Sequence, residues 1–315
     1  MRVLITGANG FIGSHLVMSL CRETDHQVVS MVRGAKGQEE TRSPAPKNRI
    51  VHGDVSDMGD VSRIITETRP DAVIHLATKY AVAHQADEIG EMVNTNIKGT
   101  YNILESLRNS PSTTLINAST CYVYETSKTA IDEKGTLRPQ NLYALTKVGA
   151  EEACRFFSNN YGMNTLNLRF FPPYGPGDSP KKLIQSTYRT IMDGREPILS
   201  DGTQKWDFVF VGDVVECLKR SLVRIESTEG PGFRTLNVGT AKVVEVREIV
   251  RRIFELTGKS GEPAWGTASK RKNEIEYLCC DNRALREWLG WVPTTPMIGG
   301  GLEATIEALR KEGGA

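Results

Sequence analysis

Two residues with complementary acid–base chemistry lie four positions apart in a helical segment. Tyr143 and Lys147 are one helical turn apart, so their side chains share a face. A tyrosine with its ordinary pKa of about 10 is a poor acid–base group at neutral pH, but an adjacent ammonium group stabilises the phenolate and lowers that pKa. The same spacing alone is also typical of a solvated helix face. The pair therefore predicts proton transfer only where neighbouring elements complete a site.

A glycine-rich segment near the start of the chain indicates a second part of such a site. Residues 2–6 form a short apolar run, and the sequence GANGFIG at 7–13 leads from it into a helical pattern. Gly7 permits a tight turn, Gly10 lets phosphates approach the backbone, and Gly13 lets the helix pack closely on the strand. A strand that ends on glycines and opens a helix presents N–H groups to a pyrophosphate. This segment predicts a dinucleotide-binding loop.

The second predicted strand bears on the choice of dinucleotide. Residues 27–32 (QVVSMV) are followed by Arg33 and Gly34, with no acidic residue at the strand end. In dinucleotide folds an acidic residue there holds the ribose hydroxyls, whereas an arginine accommodates a 2′-phosphate. NADP(H) is therefore favoured as the cofactor, and NAD(H) is the other possibility. The alternative interpretation of Arg33 is a solvated loop residue with no role in binding.

The elements that must position these residues alternate between strand and helix. Strands are predicted at 2–6, 27–32, 49–52, 71–76 and 114–118, with long helices at about 85–109 and 142–161. Such alternation is typical of right-handed crossovers and a parallel sheet covered on both faces. The predicted fold is α/β, with a Rossmann-type doubly wound parallel sheet and a smaller mixed α/β C-terminal substrate lobe. Residues 1–171 are assigned to the Rossmann domain. Residues 172–315 are assigned mainly to the substrate lobe, and some of their segments are allowed to return to the Rossmann domain.

The predicted C-terminal lobe contains short elements. Helices are expected near 181–193, 212–226, 245–257, 281–289 and 300–311, and short strands near 206–211 and 234–238.

Composition narrows the classes of partner. Lys plus Arg number 39 and Asp plus Glu 38, which gives a formal net charge of +1 and no electrostatic reason to expect nucleic acid or a membrane surface. No apolar run approaches the length of a membrane span, and no targeting segment is recognised, so a cytoplasmic location is expected. Six scattered cysteines form no C-x-x-C pair, so neither a disulfide framework nor a metal site is predicted.

Ordered motifs along nearly the whole chain resemble the extended short-chain dehydrogenase/reductase family, and within it the nucleotide-sugar epimerases, dehydratases and ketoreductases. The motifs are GANGFIG at 7–13, GDVSD at 53–57, HLA at 75–77, NTNIKGT at 94–100, STCYVY at 119–124, YALTK at 143–147, RFFPPYGPGD at 169–178 and WDFVFVGD at 206–213.

The resemblance implies roles for individual residues. Tyr143 would be the general acid–base, Thr120 would hydrogen-bond the reacting sugar oxygen, and Lys147 would hold the nicotinamide ribose and tune the tyrosine. The residues implied to bind the cofactor are Gly7, Asn9, Gly10, Phe11, Ile12, Gly13, Arg33, Asp54, Val55, Leu76, Ala77, Tyr143 and Lys147. Those implied to bind the nucleotide-diphosphate sugar are Thr120, Tyr122, Lys205, Arg271 and Glu274. The alternative for Arg271 is a surface salt bridge.

Departures from the family pattern bear on the reaction. Sugar 4,6-dehydratases carry an Asp-Glu pair directly after the catalytic threonine, and here those positions are Cys121 and Tyr122. A thiolate can replace a carboxylate base when its pKa is lowered, although a small residue beside the pocket is the simpler interpretation of Cys121. Pro172 stands where the family usually has asparagine. Trp206 stands where an arginine is common, with Lys205 as a substitute for its charge.

These observations predict an NADP(H)-dependent ketoreductase acting at C4 of a nucleotide-linked deoxysugar, with Tyr143 as general acid. The alternatives are a 4-epimerase that retains NAD, an atypical dehydratase using Cys121, and a redox-sensing regulator that binds NADP without turnover. Regulators of that kind tend to lose the Tyr–Lys pair, which is present here. By resemblance, a homodimer is expected through the two long helices at 85–109 and 142–161.

Overall fold

The computed structural model describes residues 1–34, 48–110, 112–227, 232–269 and 274–313. Its strands are β1 Arg2–Thr6, β2 Gln27–Val32, β3 Asn48–His52, β4 Ala72–His75, β5 Thr114–Thr120, β6 Thr165–Phe170, β7 Pro173–Tyr174, β8 Lys205–Trp206, β9 Val209–Phe210, β10 Phe233–Val238, β11 Val244–Glu245 and β12 Tyr277–Leu278. Its α-helices are α1 Phe11–Glu23, α2 Met58–Thr68, α3 Glu88–Val93, α4 Gly99–Leu107, α5 Leu142–Tyr161, α6 Leu183–Met192, α7 Val211–Glu226, α8 Val246–Thr257, α9 Arg283–Leu289 and α10 Leu302–Gly313.

A seven-stranded sheet in the order β10-β6-β5-β4-β1-β2-β3 forms the centre of the fold. The pairs β1–β2, β1–β4, β2–β3 and β4–β5 are parallel. The order reverses at β1, where β2 lies on one side and β4 on the other, and ligands bind at such a switch point in doubly wound sheets. The predicted α/β, Rossmann-type fold is confirmed.

Two compact units divide the chain. The first comprises Met1–Glu125, Gly135–Arg169 and Val215–Leu236. Its apolar core joins the sheet to α2, α4 and α5 through side chains such as Leu4, Ile64, Leu104 and Phe157. The central strands β1 and β4 are almost continuously buried, as expected where helices cover both faces of a parallel sheet.

The second unit comprises Thr126–Lys134, Phe170–Val214 and Asn237–Ala315. Its core packs α6, α8 and α10 together through residues such as Ile184, Ile253 and Ile306. A three-stranded sheet in the order β11-β8-β12 and the pair β7–β9 also lie in this unit. The predicted domain division at residue 171 stays a prediction.

Two elements differ from the expectations in an informative way. The long helix expected at 85–109 begins at Glu88 and contains a π-helical stretch, Asn94–Lys98, between α3 and α4. The single strand expected near 206–211 is two short strands, because the backbone turns aside at Asp207. This fully buried carboxylate accepts hydrogen bonds from the Thr240 hydroxyl at 2.6 Å and the Ala241 N–H at 2.8 Å. Burial raises its pKa to about 6.

All six cysteines are buried and free of disulfide bonds. Among the described residues, no helix has both the length and the apolar character needed to cross a membrane. Within the same ranges, no group of three or more His, Cys, Asp or Glu side chains is placed to hold a metal ion.

Candidate functional site

The glycine loop at the end of β1 adopts a conformation that side chains would prevent. Gly7 has a φ of 67°, and a Cβ on it would lie 2.6 Å from the Ala77 N atom. A Cβ on Gly13 would lie 2.2 Å from the Gly7 carbonyl oxygen. Gly10 donates its N–H to the same oxygen at 2.9 Å and is the N-cap of α1, without a side-chain capping bond. The roles predicted for Gly7 and Gly13 thus have geometric counterparts, and that of Gly10 stays a prediction.

A cavity of about 250 Å³ opens beside this loop. It is lined by Gly7, Ala8, Asn9, Gly10, Met31, Val32, Arg33, Gly53, Asp54, Val55, Ala77, Thr78, Lys79, Glu91 and Thr95. A glycine turn and a helix N-terminus at one end of such a cavity fit the diphosphate of a dinucleotide. Seven of the residues predicted to bind the cofactor line it. The other six do not: Phe11, Ile12 and Gly13 lie in the first turn of α1, Leu76 follows β4, and Tyr143 and Lys147 lie on α5.

Arg33 lies at the rim of the cavity, but its guanidinium group is already paired. Its NH1 atom lies 3.1 Å from Oε1 of Glu91, a residue of α3. The other oxygen of Glu91 lies 2.8 Å from the Lys79 ammonium group. These two partners lower the pKa of Glu91, Lys79 more than Arg33, so the carboxylate is charged. Arg33 is thus a largely exposed side chain, 67% accessible, that is also ion-paired with a residue of α3.

The Tyr143–Lys147 pair lies at the first two turns of α5, beside the end of β5. Asn141 caps this helix by accepting the Ala144 N–H at 2.8 Å. The Lys147 ammonium group donates to the Ala118 carbonyl at 2.9 Å and lies 5.9 Å from the centroid of the Tyr143 ring. The Thr120 hydroxyl is hydrogen-bonded to the Tyr143 phenol. Thr120, Tyr143 and Lys147 thus lie together at the end of β5.

The effect of Lys147 on Tyr143 differs from the sequence-based expectation. Burial raises the pKa of Tyr143 above its ordinary value, and the nearby Tyr80 and Cys121 act in the same direction. The lysine does not reverse this, because its ammonium group is turned toward the backbone of β5. Burial also lowers the pKa of Lys147 to about 8, against the opposing charge of Glu151. Tyr143 is a neutral phenol in this structure.

A buried ion pair involves the residue one helical turn after Lys147 on α5. Glu151 and Arg169 have side-chain exposures of only 3% and 6%, with an NH2 to Oε2 distance of 2.6 Å. Arg169 also donates to the Tyr124 hydroxyl at 2.7 Å, and Ser119 donates to Glu151. The network ties β5, β6 and α5 together directly beneath the Tyr143–Lys147 pair.

Three residues near this pair were not singled out in the sequence. The Tyr80 ring meets the Tyr143 ring edge-on, with 4.8 Å between centroids. His75 is buried and shares a 2.7 Å hydrogen bond with the Thr6 hydroxyl, and burial lowers its pKa to about 3. The Asn96 amide donates to the Thr146 hydroxyl at 2.9 Å and accepts the Lys79 N–H at 2.8 Å. The HLA motif at 75–77 contains the second of these residues, and the NTNIKGT motif at 94–100 contains the third.

Four further residues predicted to take part in catalysis or substrate binding lie in the described ranges, and Cys121 among them is close enough to Tyr143 to affect its pKa. Cys121 and Tyr122 lie in the 3₁₀ turn Cys121–Val123, where the Cys121 side chain is 1% exposed. Lys205 is exposed on β8. One buried carboxylate oxygen of Glu274 has no hydrogen-bond partner among the described residues. Arg271 lies outside the described ranges.

Comparison with known proteins agrees with this geometry. The NAD dependent epimerase/dehydratase family model matches residues 3–239. The dTDP-glucose 4,6-dehydratase of Neisseria meningitidis serogroup B is 29% identical, over 97% of this chain and 92% of its own. The UDP-glucose 4-epimerase of Mycolicibacterium smegmatis is 29% identical over 99% of both chains.

A solved structure shows the same similarity. MoeE5 in complex with UDP-glucuronic acid and NAD is 30% identical, with a TM-score of 0.85 over 99% of this chain and 100% of its own. This chain belongs to the NAD dependent epimerase/dehydratase family, within the extended short-chain dehydrogenase/reductase enzymes that act on nucleotide sugars.

Proposed function

We propose that the protein is a nucleotide-sugar 4-epimerase that retains NAD. The observation that carries the proposal is the convergence of Thr120, Tyr143 and Lys147 at a site whose two residues after the threonine carry no carboxylate. Inversion at C4 needs one acid–base group and a hydride carrier. Elimination of water across C5 and C6 needs additional acid–base groups. The site therefore supports reversible oxidation at C4 better than dehydration.

The roles of the three side chains follow from their contacts. For this role Tyr143 must first release the proton that it carries in this structure. The phenolate then takes the proton of the C4 hydroxyl when that carbon is oxidised, and the resulting phenol returns it when the carbonyl is reduced. Thr120, already hydrogen-bonded to the phenol, holds the reacting oxygen in reach of it. Lys147 supplies the positive charge that a phenolate requires, and Glu151 helps to keep it protonated. The bound nicotinamide supplies the hydride acceptor and donor.

A 4-ketoreductase is the second candidate, and the end of β2 favours it. A strand that ends in Val32 and Arg33, without an acidic residue, is typical of NADP(H) binding, and NADPH would serve a one-way reduction. The neutral Tyr143 is already in the form required of a general acid. Dehydration through Cys121 has less support, because its side chain is almost fully buried.

The proposed substrate is a nucleotide-diphosphate sugar. The similar proteins act on or bind dTDP-glucose, UDP-glucose and UDP-glucuronic acid. We assign Tyr122, Lys205, Arg271 and Glu274 to substrate binding, as the family resemblance implies. The buried, unpartnered oxygen of Glu274 supports a hydroxyl donor as its ligand.

A homodimer through α3–α4 and α5 is part of the proposal. Both segments expose large apolar side chains, including Tyr101 at 44%, Leu145 at 54% and Phe156 at 51%. Contiguous exposed apolar surface marks contact sites between proteins. A second copy, packed on these helices, would cover it.

The proposal is tested by releasing the co-purified cofactor and by following UDP-glucose, UDP-glucuronic acid and dTDP-glucose by NMR. Retained NAD and the appearance of the C4 epimer without added cofactor are the expected results. Consumption of NADPH with a 4-keto nucleotide sugar, and no epimerisation, would replace the epimerase with the reductase.

A further inference from the structure

The adenosine end of the cavity lacks the acidic residue that dinucleotide folds place on the second strand. Val32 and Arg33 occupy that position. Asp54 lies on the cavity wall, but its Oδ1 already accepts the Ser56 N–H and hydroxyl, each at 2.8 Å. A further carboxylate on the cavity wall would give the ribose hydroxyls of NAD an acceptor that Oδ1 of Asp54 does not offer.

Glu91 supplies a carboxylate to the same cavity from a different element. It lies on α3, 58 positions from Arg33 in sequence, and it lines the cavity together with Val32, Arg33 and Lys79. Each of its oxygens accepts one hydrogen bond, from Arg33 at 3.1 Å and from Lys79 at 2.8 Å. A carboxylate has about four acceptor positions, so two remain for a ribose diol.

The charges around Arg33 do not favour a 2′-phosphate. The cluster contains the cations Arg33 and Lys79 and the anions Glu88 and Glu91, and its formal charge is zero. A phosphate placed against Arg33 would also meet the Glu91 carboxylate, which is within hydrogen-bonding distance of the same guanidinium group. Like charges so close repel, whereas a neutral diol does not incur this cost.

We propose that Glu91 is the residue that selects NAD(H) over NADP(H). It accepts hydrogen bonds from the adenosine ribose and, through its ion pair, withholds Arg33 from a 2′-phosphate. The preference for NADP(H) predicted from Val32 and Arg33 at the end of β2 is thereby reversed by a carboxylate from α3. The inference rests on the proposed use of a nicotinamide dinucleotide and is independent of the sugar chemistry.

The test is direct binding of NAD and NADP to cofactor-stripped protein, without sugar, followed by intrinsic tryptophan fluorescence. Wild-type protein should prefer NAD, and Glu91→Gln should shift the ratio of the two dissociation constants toward NADP by about tenfold or more. Glu88→Gln is the matched control, because Glu88 also contacts Lys79, at 3.2 Å, but does not line the cavity. Its ratio should remain that of the wild type.

A double variant isolates the role of Arg33. If Glu91 withholds Arg33, adding Arg33→Ala to Glu91→Gln should remove the gain in NADP affinity. A wild-type preference for NADP, or an unchanged ratio in Glu91→Gln, would overturn the proposal. Melting temperatures equal to that of the wild type exclude misfolding of the variants. If Glu91→Gln is unstable, Glu91→Ala takes its place. NAD binding without epimerisation of any sugar would refute only the proposed function.

Discussion

Replacing Glu151 by glutamine tests the link between the buried ion pair and the chemistry. The substitution keeps the shape of the side chain but removes its charge, and it leaves the Arg169 guanidinium group buried without a counter-ion. Burial acts to lower the pKa of Arg169, yet the Glu151 carboxylate outweighs this and holds it above its ordinary value. Without this carboxylate the pKa of Arg169 falls, but an arginine in a protein stays protonated and so cannot escape the cost by releasing its proton.

The expected loss of stability is large. Breaking a buried ion pair by removing one partner costs about 3–5 kcal/mol, because the remaining charge is uncompensated. Both side chains are at most 6% exposed here, and Ser119 also loses a charged acceptor. We expect Glu151→Gln to lower the free energy of unfolding by about 3 kcal/mol or more.

Urea unfolding at a fixed concentration of cofactor measures this loss, since bound ligand contributes to apparent stability. The neighbouring Glu152 provides the control. It pairs with Arg155 on the same helix, but the two side chains are 49% and 53% exposed. An exposed pair contributes at most about 1 kcal/mol, so Glu152→Gln should be nearly neutral. Equal losses in the two variants would refute the argument from burial.

The same variant should alter the pH dependence of turnover. The pKa of Lys147 is about 8 because burial lowers it, and the negative charge of Glu151 opposes that effect. Without this charge the pKa falls further, so the lysine loses its proton at lower pH. The activity that depends on a charged Lys147 should therefore decline at lower pH in Glu151→Gln than in wild type. An unchanged alkaline limb would contradict this assignment.

Three further perturbations have defined outcomes. Tyr143→Phe should reduce turnover by a factor on the order of 10² or more with little change in dinucleotide affinity, and comparable activity would remove Tyr143 from its role. His75 is neutral in the fold, so the unfolded chain alone gains its proton as the pH falls below about 6.5. Stability should drop by about 2 kcal/mol between pH 7.5 and 5, and His75→Asn should lessen this drop in urea midpoints. Phe156→Glu should yield monomers in light scattering. The control Met192→Glu alters a comparably exposed residue of α6 and should leave the dimer intact. Dimers in both variants would count against the proposed interface.

The sheet and the glycine loop could be predicted because their causes are local. Continuous apolar runs predict buried parallel strands, and the bounds of β1 and β2 agree with their runs residue by residue. Likewise, the spacing of Tyr143 and Lys147 sets their common helix face. Patterns of this kind require no knowledge of distant contacts.

The environment of the site was harder to predict because its causes are distant in sequence. Glu91 reaches Arg33 across 58 positions, and Glu151 reaches Arg169 across 18. The raised pKa of Tyr143 depends on burial, which no spacing of residues reveals. Sequence thus indicated which groups could react, while the structure was needed for their charge states and partners.

The π-helical stretch Asn94–Lys98 has a consequence for how the family can diversify. Such a stretch has one residue more per turn than an α-helix, so the loss of a single residue here would restore regular α-helical winding. One α-helical residue corresponds to a rotation of about 100°. α3 would then present a different side chain than Glu91 to the cavity. A single-codon deletion within this stretch, with Glu91 itself unsubstituted, would therefore alter which dinucleotide a descendant of this protein accepts.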